Sequence, residues 1–177
     1  MKKKILVIII ILSLPLIWYK VPQHKHKTLD GVLFQLETEN EQNVQPVQIE
    51  IEGVFQRHFF RPMTFEGTIR INDELLPFPD SVDKKLKIKL GDPMKDEGLI
   101  RFWRTSYYGV PYYYGYLAVN HNVSKVAILK FNHNEQGTSW SSKDGMMISA
   151  PATNRAEALD IANELVGADI KEPRPLK

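Results

Sequence analysis

Apolar side chains recur at every second position over much of this chain, which is the period of strands with one buried face. Val32, Phe34 and Leu36 alternate with Leu33, Gln35 and Glu37, and Val47, Ile49 and Ile51 alternate with Gln48, Glu50 and Glu52. Gly53 interrupts the second run, and a bulge or sharp bend is expected there. Phe65, Gly67, Ile69 and Ile71 form a further inward set, and Asn72 with Asp73 supplies turn chemistry before Leu75 and Leu76, so a hairpin is expected. Leu86, Ile88 and Leu90 alternate with Lys85, Lys87 and Lys89, a pattern suited to a sheet edge, where lysines discourage pairing with another chain.

A loop over residues 91–98 precedes segments 99–105, 113–120, 125–131 and 145–150, which read as four more strands. Strands that follow strands without intervening helices predict a mainly β fold: an antiparallel sheet or partly open barrel of about 7–9 strands. The last element has a different period. Asn154 stands as a cap, Glu157 occupies the capping-box position, and Gly167 is placed as a stop. Between them Ala158, Leu159, Ile161, Ala162, Leu165 and Val166 share one face, which predicts a single C-terminal amphipathic helix. Residues 171–177, with Pro173 and Pro175, read as a flexible tail.

The N-terminus departs from both periods. Lys2, Lys3 and Lys4 precede a run from Ile5 and Leu6 to Trp18 and Tyr19 whose only polar member is Ser13, the layout of an export signal. Trp18, Tyr19, Lys20 and Val21 offer no small residues for cleavage, so residues 1–20 read as an uncleaved signal anchor and transmembrane helix. Its apolar length as a helix is about 22 Å, short of a hydrocarbon core of about 30 Å, and the stems of Lys4 and Lys20 are suited to cover the difference. Trp18 and Tyr19 fall where an interfacial aromatic belt belongs. The expected topology has the N-terminus cytoplasmic and the domain outside. Residues 21–30 read as a juxtamembrane linker, because Gln23, His24, Lys25, His26 and Lys27 show no apolar period, and residues 31–170 as one β-rich extracytoplasmic domain.

Charge narrows the partners. Lys2, Lys3, Lys4 and Lys20 flank the apolar run, so removing these four from 23 basic residues leaves 19 against 21 acidic ones. A near-neutral domain with interspersed signs lacks the basic stripe that nucleic acid requires. Cysteine is absent, which excludes disulfides, thiolate metal sites, a cysteine nucleophile and a lipid-modified cysteine. No metal or other cofactor is expected.

The segments Phe65-Glu66-Gly67-Thr68-Ile69-Arg70-Ile71 and Ile148-Ser149-Ala150-Pro151, with the Asn154-Arg155 and Glu157-Ala158 helix start, resemble small membrane-anchored extracytoplasmic proteins of Bacillus-like bacteria. The resemblance implies location and layout and carries over no catalytic residue.

Candidate chemistry is sparse. Motifs of metalloproteases, serine hydrolases, phosphate-binding loops and dinucleotide sites are missing from the sequence. His121, His133 and Asp144 all lie at predicted strand ends, but one strand separates the two histidines by roughly 30 Å, too far to share a metal. Asp92, Asp96 and Glu97 form a loop group of carboxylates beside Lys95 that reads as solvated. Arg57, His58 and Arg61 mix with Phe59 and Phe60 in a second patch of no specified ligand. The strongest feature is aromatic: Trp103, Tyr107, Tyr108, Tyr112, Tyr113, Tyr114 and Tyr116 crowd around Gly109 and Pro111, with Trp140 available to join them. Rings with a large apolar face and a wet hydroxyl suit protein or sugar recognition, while strand alternation sends some of them to the core. The expected function is a non-enzymatic module that binds another envelope protein or a cell-wall component. An envelope hydrolase, or a carrier of a small apolar ligand in a barrel interior, are the alternatives.

Overall fold

A computed structural model describes residues 21–36, 44–91, 95–106, 109–134, 137–167 and 176; the expected anchor, including Ile5, Leu6, Trp18 and Tyr19, lies outside them. Its fold is mainly β. Among the described residues eleven strands run in chain order: β1 (Gln23–Gln35), β2 (Gln45–Gln56), β3 (Met63–Ile71), β4 (Glu74–Leu76), β5 (Leu86–Leu90), β6 (Leu99–Phe102), β7 (Tyr112–Val119), β8 (Val126–Lys130), β9 (Asn132–Asn134), β10 (Gly137–Ser139) and β11 (Met146–Ala150), followed by helix α1 (Arg155–Val166). Nine strands form one antiparallel sheet in the order β4-β3-β2-β1-β11-β8-β7-β6, with β5 paired to β3, and β9 and β10 make a separate hairpin. The sheet curls into an open half-barrel.

Alternation buries two sets of side chains on opposite faces. The concave face is filled from every strand of the sheet, by residues such as Ile49, Ile51, Phe65, Ile69, Ile88, Ile100, Phe102, Tyr114 and Ile128. On the convex face Val32, Phe34 and Leu36 of β1 meet Leu129, Met147 and the buried stripe Ala158, Ile161, Ala162 and Val166 of α1. Helix α1 therefore covers one flank of the half-barrel and closes a second apolar layer. The Asn154 side chain caps it, accepting from the Glu157 N–H at 3.0 Å, and the Glu157 carboxylate returns to the Thr153 N–H and hydroxyl at 2.8 and 2.9 Å.

Several expectations need correction. The linker expected over residues 21–30 is strand for most of its length: Gln23 to Leu33 of β1 pair without a break with Phe55 to Gln45 of β2. The polar start of β1 has no inward apolar side chains of its own to announce it, and the β2 ladder supplies the backbone partners. Gly53 makes no bulge. It sits opposite Gly67 in an unbroken β2–β3 register, and a Cβ there would stand 2.7 Å from the Gly67 Cα, so close approach of two backbones explains the glycine. Gly167 is the C-cap expected of it, but it is right-handed at φ −62° and ψ −30°, with its N–H on the Asn163 carbonyl at 3.0 Å, so the helix stops without a left-handed glycine. In the expected tail, Leu176 is buried, and Asn163 both accepts from its N–H at 2.8 Å and donates to its carbonyl at 3.2 Å. That bidentate contact holds this residue on α1.

Candidate functional site

The aromatic segment is shaped by an irregularity. Ile100 pairs with Gly115 while Arg101 pairs with Tyr113, so the β6–β7 ladder shifts by one residue at Tyr114. The extra residue reverses the alternation of β7: Tyr112 and Tyr114 face the concave side before the shift, and Leu117 and Val119 face it afterwards. Tyr114 is consequently 1% exposed, a core residue and not a contact surface. Its hydroxyl donates to Glu74 Oε2 at 3.1 Å, and burial, reinforced by the Glu74 charge, pushes its ionisation well above the ordinary tyrosine range.

Tyr112 belongs to an aromatic assembly at the start of β7. Its ring centroid lies 5.3 Å from Phe78, 5.4 Å from Phe102 and 4.6 Å from His133, and the His133 ring stacks on it at 15°. The Arg104 guanidinium stands 4.9 Å from the Phe78 centroid and 5.8 Å from that of Tyr112, and it is fixed by two hydrogen bonds to Asp80 Oδ2 at 2.9 and 3.2 Å. The loop between β4 and β5 is fastened to this end: the Val82 N–H donates to the Trp103 carbonyl at 2.9 Å, and the Trp103 N–H donates to Asp83 Oδ2 at 2.8 Å. Beside these bonds Trp103 is 45% exposed and Val82 62%, with Val110 61% exposed just before β7. Phe78, Val82 and Arg104 join this end although no periodicity or motif marks them in the sequence. Phe78 carried one signal, an aromatic held between Pro77 and Pro79.

The remaining aromatic candidates are dispersed. Tyr113 is half-buried opposite Arg101. Tyr116 and Trp140 pack on the convex layer; the Tyr116 ring meets Phe131 edge-on at 5.3 Å, and the Trp140 Nε1–H donates to the Met146 carbonyl at 3.1 Å. Burial is the main reason the Tyr116 hydroxyl ionises above its ordinary range, and Asp96, 3.4 Å away, adds to it. Tyr107 and Tyr108 lie outside the described residues. Trp103 with Tyr112 and Tyr113 thus share one end of the sheet, while Tyr116 and Trp140 serve the helix side.

The polar candidates do not converge. His121 is exposed in the β7–β8 turn, His133 lies on β9 against Tyr112, and Asp144 is exposed before β11. Among the described residues no group of three or more His, Asp or Glu side chains is placed to hold a metal. Asp92 falls outside those residues, and Asp96 takes its contact from Tyr116. A cleft of about 460 Å³ lies between β1, β2 and the start of the helical segment, lined by Asp30, Gly31, Val47, Gln48, Asn72 and Thr153 among others. Its polar groups are already bonded to one another: Gln48 Nε2 donates to Asp30 at 3.0 Å, and the Gln48 N–H donates to Asn72 at 2.8 Å.

The second patch sits at the opposite end of β7. Phe60 is fully exposed and Phe59 42% exposed at the tip of the β2–β3 loop, with ring centroids 6.4 Å apart. Arg57 donates to the His121 carbonyl at 3.1 Å and Lys25 to the Asn122 carbonyl at 3.2 Å, which ties this loop and the start of β1 to the β7–β8 turn. No protein-family profile, curated protein or solved structure matches the chain.

Proposed function

We propose that this chain is a membrane-anchored extracytoplasmic binding module, tethered through residues 1–20 and presenting its Trp103 end to another protein of the cell envelope. Among the described residues no helix is long and apolar enough to cross a membrane, so the proposed tether rests on the Ile5 to Tyr19 sequence. The observation that carries the reading is the separation of an exposed apolar pole from the point where the chain enters the sheet. Residue 23, where β1 begins, lies with the His121 turn at one end of β7, whereas Trp103, Val82 and Val110 stand at the other, about 23 Å away for eight residues of strand.

The far pole has the composition of a protein-contact hot spot. An exposed tryptophan is held on a rigid frame, with an arginine already ordered over aromatic rings beside it, so little side-chain freedom is lost on association. The test is crosslinking and capture of the full chain from intact membranes. Trp103→Ala and Tyr113→Ala are expected to lose the captured partner while the chain keeps its thermal unfolding transition. Unchanged capture by both variants would remove this end as the contact, and a C-terminus shielded from protease added to whole cells would remove the extracytoplasmic placement.

A further inference from the structure

We propose that the β2–β3 loop, with Phe59 and Phe60 at its tip and a basic rim behind them, is a second membrane contact that seats in the interface of an anionic bilayer. The proposal rests on the reading that Ile5 to Tyr19 spans the membrane, and it adds a surface to which that reading assigns no role.

Chain geometry brings the loop to the lipid. Only Lys20, Val21 and Pro22 separate the apolar run from the first residue of the sheet, a span from Tyr19 to Gln23 of about 14 Å at most. Gln23 pairs with Phe55 of β2, and β2 ends at Gln56, so residues 57–62 extend past the level at which the chain enters the sheet. A tether this short leaves the loop facing the bilayer. There Phe60 is fully exposed and Phe59 nearly half exposed, the surface expected of side chains that meet a partner outside the fold.

Charge selects the same partner. Residues 21–27, 57–62 and 121–125 contain Lys25, Lys27, Arg57, Arg61 and Lys125 and no aspartate or glutamate, while Met63 pairs with Leu90, so the β5–β6 loop brings Lys95, Asp96 and Glu97 to the same end, behind this basic rim. Lys125 is paired with Glu164 of α1. Burial lowers the Lys25 pKa, and the neighbouring Arg57 and Lys27 charges add to the shift. Aromatic rings at headgroup depth beneath a cationic rim match an anionic lipid surface.

The test uses the full chain reconstituted in vesicles of phosphatidylglycerol and phosphatidylcholine. Because the chain has no cysteine, Phe60→Cys and Val82→Cys each carry a single fluorophore. Nitroxide-bearing lipids are expected to quench the label at 60 several-fold more than the label at 82, and less so when phosphatidylglycerol is omitted. Equal quenching at the two positions, or quenching indifferent to headgroup charge, overturns the contact, with Phe59→Cys as a second probe of the same loop. Flotation of the chain with the vesicles separates the two readings: a chain that floats with a wet label at 60 sinks this inference alone, and a chain that does not float sinks the tether with it. A label wet in vesicles but protected in native membranes would assign the loop to a protein neighbour and overturn the lipid.

Discussion

Gly53 and Gly67 face each other across β2 and β3 so closely that a Cβ on Gly67 would lie 2.6 Å from the Gly53 Cα and 2.1 Å from the Glu52 carbonyl oxygen. Both contacts are with backbone in the interior of the sheet, where no flexible side chain can give way. Gly67→Ala is therefore expected to force the two strands apart and to cost about 2–3 kcal/mol, as overpacking of a tight interior does. Chemical denaturation measures it, and an unchanged midpoint would show that the ladder adjusts freely.

Tyr114 separates packing from recognition within the tyrosine cluster. Removing only its hydroxyl in Tyr114→Phe deletes the bond to Glu74 and is expected to cost about 1 kcal/mol, whereas Tyr114→Ala empties a buried site and should cost about 3–5 kcal/mol. A contact residue at the surface would change stability by less than about 0.5 kcal/mol in both. Near-neutral values for the pair would therefore contradict a core role.

The cap of α1 gives an independent measure of the convex layer. Asn154→Ala removes the acceptor for the Glu157 N–H and is expected to lower stability by about 1 kcal/mol. Asn154→Asp should retain most of it, since a carboxylate accepts the same bond and sits favourably at a helix start. Equal losses in both variants would mean that the cap does not hold the helix on β8 and β11.

The sequence was legible wherever alternation coincided with one buried face. Val47 to Ile51, Phe65 to Ile71 and Leu86 to Leu90 are strands as expected, and Asn72, at φ 52°, turns the hairpin expected of it. Alternation does not say which core a strand serves: Val32, Phe34 and Leu36 face α1, while their neighbours Ile49 and Ile51 on β2 face the concave side. The first half of β1 and the hairpin β9–β10 bury too little to leave a pattern; Asn132, His133 and Asn134 are all exposed. The single-residue shift at Tyr114 was equally hidden, and it decides which tyrosines enter the core. For the candidate site, Trp103 and Tyr112 were named by composition, but the frame that orders them joins Arg104, next to Trp103, to Phe78 and to Asp80, which stands 24 residues before Arg104, and that pairing is visible only in the fold.

His133 should make stability fall in mildly acidic solution, and the sign follows from its surroundings. Its imidazole is partly desolvated against Tyr112 and lies near the Lys130 ammonium, and together these hold its pKa below the ordinary value of 6.5 despite an opposing backbone hydrogen bond with Tyr113. As pH falls, the unfolded chain takes up the proton first, so the stability this ring contributes is complete above the unfolded value and is lost as pH drops through it toward the folded one. His133→Phe keeps a ring on Tyr112 and removes the titration. Between about pH 8 and about pH 5.5 the denaturation midpoint of the variant is expected to decline less than that of the parent chain, the other histidines and carboxylates being common to both. Parallel pH curves for the two proteins would show that protonation leaves the stack undisturbed.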